Sequence, residues 1–147
     1  MKHLLYIVLL VSLIAFNCNT PKKVTNTNTN ERLENLKDND TVKISSDKVE
    51  YEIIIIEPGY NYWLASTARP EGFYSQQFME NRNYQYVVEW NNRVLQPNRF
   101  DPNLYELQID YRPGIDYGYE VNYKLYNYFI YFQLKYKQRL GPFTPRI

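Results

Sequence analysis

The sequence predicts an α+β domain: a small two- or three-stranded sheet with its central strand at about 49–57, packed by two main helices at about 75–95 and 117–138. Three patterns carry this expectation. Val49, Tyr51 and Ile53 alternate with Glu50 and Glu52, and the alternation then gives way to Ile53-Ile54-Ile55-Ile56. Alternation marks a strand with one wet face, and an unbroken apolar run marks one covered on both, so this strand is expected at the centre of the sheet. The two longer stretches repeat their apolar residues at helical spacing instead.

Lys2 and His3 precede an almost unbroken apolar run over residues 4–16. A membrane span needs ~20 such residues, so this run fits a cleavable secretory signal better. Ile14-Ala15-Phe16-Asn17-Cys18 resembles the lipobox that lipoprotein signal peptidase cuts before its cysteine, although Asn17 stands where that pattern has a small residue. Residues 1–17 are therefore expected to be a signal peptide and Cys18 the lipidated mature N-terminus. That addresses the chain to the cell envelope, on the periplasmic side of the outer membrane. Cys18 is the only cysteine, which excludes an internal disulfide. Acylation would also remove a lone thiol from an oxidising compartment.

Residues 18–40 are expected to form a tether. Thr25-Asn26-Thr27-Asn28-Thr29-Asn30 lies at its centre and offers nothing to bury. A flexible coil of this length spans ~25 Å, and Lys22-Lys23 lies close enough to the lipid to meet anionic headgroups. The globular domain is then 41–147. Residues 41–45 alternate and can form a hairpin with the next strand through Ser46-Asp47. Pro58-Gly59 ends that strand, and a short helix over 61–66 stops before Pro70.

In the helix at 75–95, Phe78, Tyr84, Val87, Val88, Val94 and Leu95 trace the expected apolar face, with Glu89 and Arg93 paired at i,i+4. Residues 104–111 read as an outer strand, with Tyr105, Leu107, Ile109 and Tyr111 turned in and Glu106, Gln108 and Asp110 turned out. In the last helix Val121, Leu125, Tyr128, Phe129, Phe132 and Tyr136 oppose Glu120, Lys124, Asn127, Tyr131, Lys135 and Gln138. Asp116 is the expected N-cap and Gly141 the expected C′ residue.

Composition excludes several functions. With 17 Lys+Arg against 16 Asp+Glu there is no basic excess to bind nucleic acid by counterion release. The only histidine, His3, leaves with the signal, so the mature chain has no imidazole for base catalysis or metal binding. No P-loop, G-x-G-x-x-G or G-x-S-x-G occurs. No cofactor and no metal are expected. The 16 tyrosines need buried rings with hydroxyls at polar boundaries, or else an exposed aromatic surface.

Two groups of residues remain as candidates. Glu57, Asp110 and Asp116, with Arg69 and Arg112 nearby, would gather at one sheet edge if the strands at 49–57 and 104–111 ran parallel. Such a carboxylate pair suits a small glycan or peptide hydrolase, whereas helix capping and a turn position explain the same acids without chemistry. Tyr60, Tyr62 and Trp63 cluster behind the Pro58-Gly59 turn, either as core packing or as a recognition surface. The expected function is non-catalytic: binding or scaffolding of an envelope protein or glycan through Tyr60, Tyr62 and Arg69 beside Glu57 and Asp116.

Ile53-Ile54-Ile55-Ile56-Glu57-Pro58-Gly59-Tyr60, Phe73-Tyr74-Ser75, Val88-Glu89-Trp90-Asn91, Ile115-Asp116-Tyr117-Gly118 and Glu120-Val121-Asn122-Tyr123-Lys124-Leu125-Tyr126 occur together. In these the chain resembles a family of uncharacterised bacterial lipoproteins, over about residues 49–140. The resemblance implies a secreted, lipid-anchored domain of unknown function and supplies no site residues.

Overall fold

A computed structural model describes residues 41–46 and 49–147. The expectations for the signal, for Cys18, for the tether and for Asp47 of the Ser46-Asp47 turn lie outside the described residues, while Ser46 ends β1. The element order is β1 (Thr41–Ser46), β2 (Tyr51–Ile56), α1 (Tyr60–Ser66), α2 (Gln76–Val94) and α3 (Tyr119–Lys135). Among these residues no helix is long and apolar enough to cross a membrane.

The α+β class holds, and the sheet is the smaller of the two sizes the sequence allowed. β1 and β2 pair antiparallel, with Thr41 opposite Ile56 and Ser46 opposite Tyr51. β2 is consequently an edge strand rather than a central one. Its burial alternates to the end: Tyr51, Ile53 and Ile55 face the core, while Ile54 is 62% and Ile56 75% exposed. An unbroken apolar run predicts two covered faces; here the second face is open.

The expected outer strand at 104–111 is irregular backbone. Its alternation nevertheless survives, since Tyr105, Ile109 and Tyr111 are buried and Glu106, Gln108 and Asp110 exposed. Leu107 breaks the pattern and is exposed. The segment is held by side chains of α2 instead of a neighbouring strand. The Asn91 carboxamide accepts from the Ile109 N–H at 2.8 Å and donates to the Ile109 carbonyl at 2.9 Å. Trp90 Nε1 donates to the Leu107 carbonyl at 2.9 Å. One amide side chain thus does for Ile109 what a paired backbone does in a ladder.

α3 is the centre of the molecule: α2, α1 and β1 all pack on it. From Val121 to Gln133 every residue except Lys124 is buried, so Asn127 and Tyr131, expected on a wet face, are inside. Burial on all sides is tolerable because the polar groups have partners. The Asn127 Nδ2 donates to the Tyr123 carbonyl at 2.8 Å, and Tyr131 donates to the Pro58 carbonyl at 2.6 Å. Gln133 donates to the Phe129 carbonyl and accepts from the Leu140 N–H at 2.7 Å, which fixes the chain beyond the helix.

α2 begins where expected, with the Ser75 hydroxyl accepting from the Phe78 N–H. Its core face, however, is Met79, Asn83, Tyr86, Val87 and Trp90, and Tyr84, Val88 and Leu95 are exposed. Asn83 is polar, so apolar counting skipped the row it belongs to. Both expected caps of α3 are also corrected. Gly118 is the N-cap and makes no side-chain cap, while Asp116 accepts from the Gly118 N–H in a turn ahead of the helix. At the other end Lys137 (φ 52°) follows the Tyr136 C-cap as the C′ residue, whereas Gly141, also left-handed (φ 86°), lies beyond the helix; the Gln138 N–H closes on the Gln133 carbonyl.

Candidate functional site

The five residues expected to form one surface have different surroundings. Tyr60 has no exposed surface, and its hydroxyl donates to the Lys124 carbonyl at 2.6 Å. Burial holds its pKa well above the ordinary tyrosine value. Its ring meets those of Trp63, Tyr128 and Tyr131, so it braces the core. Glu57 is also buried, accepting from Lys135 Nζ at 2.6 Å and from the Tyr136 hydroxyl at 3.1 Å. Burial opposes the charge of Lys135, but the Glu57 contact outweighs it and keeps the ammonium above its usual pKa.

Tyr62 is half-buried on α1, and its carbonyl accepts from the Ser66 hydroxyl. Arg69 is exposed; it donates to the Ile147 carbonyl at 3.1 Å and lies 5.0 Å over the Phe73 ring. Its own carbonyl accepts from the Tyr123 hydroxyl. Asp116 is exposed and accepts from Gln76 Nε2 at 2.8 Å.

The three strand-end acids do not converge. Glu57 is committed to Lys135, and Asp116 to Gln76 and Gly118. Asp110 is held by the Arg112 guanidinium through two bonds of 2.8 and 2.9 Å. That hydrogen-bonded partner keeps the exposed Asp110 carboxyl below the ordinary range. The condition for their meeting, two parallel strands, fails because the second strand does not form.

A different carboxylate pair exists. Gln76 Nε2 donates to both Glu80 (2.7 Å) and Asp116 (2.8 Å), so the two carboxylates lie within about twice a hydrogen-bond length of each other. Both line a cavity of about 250 Å³ with Tyr84, Tyr111 and Arg112. Glu80 escaped the sequence reading because its partner is 36 residues away along the chain and nothing local marks it. Behind it lies a buried amide cluster. Asn83 donates to the Asn122 carbonyl and side-chain oxygen, and the Tyr111 hydroxyl donates to Asn122 Oδ1 at 2.7 Å.

The larger opening is a cleft of about 890 Å³ along β2. Residues 50–57 form one wall and Leu104 with residues 106–110 most of the other, and Trp90 and Tyr128 are its buried floor. No residue of β1 lines it among the described residues, so it follows the edge of β2 that β1 leaves unpaired. Of the exposed large hydrophobic residues, Ile54, Ile56 and Leu107 all border it. The sequence contained the signal for this site in the isoleucine run, but the run was read as buried. Among the described residues no group of three or more His, Cys, Asp or Glu could hold a metal ion.

Fold and site together describe a tyrosine-rich α+β domain with structural carboxylates and one open apolar strand edge. The chain belongs to a family of unknown function, DUF6146, whose model matches residues 5–144. No curated protein and no solved structure matches it.

Proposed function

We propose that this protein is a membrane-anchored lipoprotein of the bacterial cell envelope, lipidated at Cys18, whose domain binds an envelope protein or glycan without chemistry. The observation that carries the binding reading is the cleft along β2, where Ile54 and Ile56 are 62% and 75% exposed beside about 890 Å³ of open space. Apolar surface gathered at a concave edge marks an interaction site more often than isolated exposed residues do. The acids first considered for catalysis are engaged elsewhere, Glu57 by Lys135 and Asp110 by Arg112. The anchor rests on the short apolar run that leads to the chain's only cysteine.

The test has two parts. Intact mass of the membrane-extracted protein should show Cys18 as the lipidated N-terminus, and Cys18→Ser should remain unprocessed; an unmodified thiol or a retained Met1 overturns the anchor. The full chain should capture a component on envelope-protein or glycan arrays and be silent in a hydrolysis panel.

The second reading is a small carboxylate-dependent hydrolase of glycan or peptide, favoured by the spacing of Glu80 and Asp116 across Gln76. That spacing is close to the ~5 Å of retaining glycosidases. Turnover abolished by Glu80→Gln or Asp116→Asn would establish it and displace the binding reading.

A further inference from the structure

We propose that the cleft takes an extended, basic polypeptide segment, which pairs with β2 as a third strand. This deepens the binding reading and rests on it. β1 occupies one edge of β2, and among the described residues the other edge makes no backbone hydrogen bond to any segment. Such an edge is a template for another strand, and proteins usually block it with lysine, proline or a bulge. Tyr-Glu-Ile-Ile-Ile-Ile has none of these. Across the cleft, Ile109 turns its N–H and carbonyl to Asn91. That wall is irregular backbone, so the occupant's ladder is to β2 alone.

The walls also specify charge. Glu50, Glu52, Glu57, Glu106 and Asp110 line the cleft, and among the described residues no lysine or arginine does. Glu57 and Asp110 have basic partners, whereas among the described residues Glu50 and Glu106 have no ion-pair partner. The complement is a strand with apolar residues facing the isoleucines and basic residues towards its ends. A second copy of β2 is a poor occupant. Antiparallel self-pairing centred on the strand would set Glu50 against Glu57, and like charges directly opposite destabilise a pair. A sugar is a poor one too, because of the three rings that line the cleft Trp90 and Tyr128 are buried and Tyr51 packs on Tyr117.

The experiment uses the full chain in neutral detergent and a fluorescent probe, Lys-Val-Thr-Val-Thr-Val-Thr-Lys, read by anisotropy. Binding is expected to weaken at least tenfold when the end lysines become glutamates, and at least tenfold when alternate peptide nitrogens are methylated. It should weaken to the same degree in Ile54→Lys, an exposed position where the domain's near-UV circular dichroism should not change. The probe should also slow amide hydrogen exchange within residues 51–56 at least tenfold. Equal binding of the methylated probe, or protection confined to another segment, overturns the proposal. So does protection, in the free chain, of the β2 amides that point away from β1, whether concentration-dependent from a second copy or constant from the chain's own N-terminal region. If array capture persists in Ile54→Lys while the probe fails to bind wild type, strand pairing is wrong and the binding reading stands.

Discussion

Single polar side chains hold much of this molecule together. Asn91 satisfies both backbone groups of Ile109, and Arg93 joins Glu89, the Tyr105 hydroxyl, Gln138 and the Arg139 carbonyl. Asn91→Ala would leave one partly buried N–H and one carbonyl without partners, at about 1–3 kcal/mol. Urea unfolding should show that loss, together with faster hydrogen exchange at Ile109. A change below about 0.5 kcal/mol would mean that water replaces the carboxamide. None of this was legible in the sequence. Asn83, Asn91, Asn122 and Gln133 sit on helices, where counting apolar residues by spacing treats them as gaps. Their value comes from partners 7 to 39 residues away. The tyrosines were easier, because a ring that must be buried and a hydroxyl that must bond predict boundary positions by themselves. Tyr60, Tyr123 and Tyr131 each end on a backbone carbonyl.

At the scale of elements, periodicity found both long helices, the short one and the hairpin partner of β2. It failed on what each element packs against. Alternation at 104–111 reports which side chains turn in, and it does so with Leu107 as the exception. It cannot report that the backbone bonds to helix side chains rather than to a strand. Four isoleucines in a row are equally compatible with a covered strand and an open edge, since hydrophobicity sets a preference for burial and the partner decides whether it is met. Of the residues expected to form a binding surface, only Glu57 lines the cleft along that open edge. The two faces now predict different costs. Ile54→Asp should shift stability by no more than about 0.5 kcal/mol, as an exposed substitution does. Phe129→Ala, at the centre of α3 against Tyr86 and Trp90, should cost about 3–5 kcal/mol. Urea melts of the two variants check this, and comparable losses at both sites would show that the open face of β2 is covered in solution.

For the whole molecule the tyrosine content sets an alkaline limit. Burial raises the pKa of Tyr60 and Tyr128 above the ordinary value of about 10. The unfolded chain therefore loses these protons first as pH rises, and it binds fewer protons than the fold does. Stability is full below about pH 10 and declines above it, by about 1.4 kcal/mol per pH unit for each such group. The raised pKa of Lys135 acts in the same direction, because its bond to Glu57 is retained until the ammonium deprotonates. Urea midpoints should be level from about pH 7 to about pH 9 and drop steeply past about pH 10. Tyrosinate absorbance near 295 nm should rise in the same cooperative step. Gradual ionisation without loss of near-UV circular dichroism would show that the hydroxyls reach solvent in the folded state.

The helix on which β1, α1 and α2 all pack is also the one a ribosome makes after all of them. Glu57 waits for Lys135 and Tyr136, 78 and 79 residues further on. At ~5–20 residues per second that is an interval of several seconds. During it β1, β2, α1 and α2 exist with no core to join, and the isoleucine run has nothing beneath it. An isolated hairpin and short helices are marginal on their own, so the domain is expected to assemble only once α3 is present, for an exported chain after it has crossed the membrane. A chain ended before Tyr119 lacks the element on which β1, α1 and α2 pack, and it should show no cooperative urea transition and rapid proteolysis.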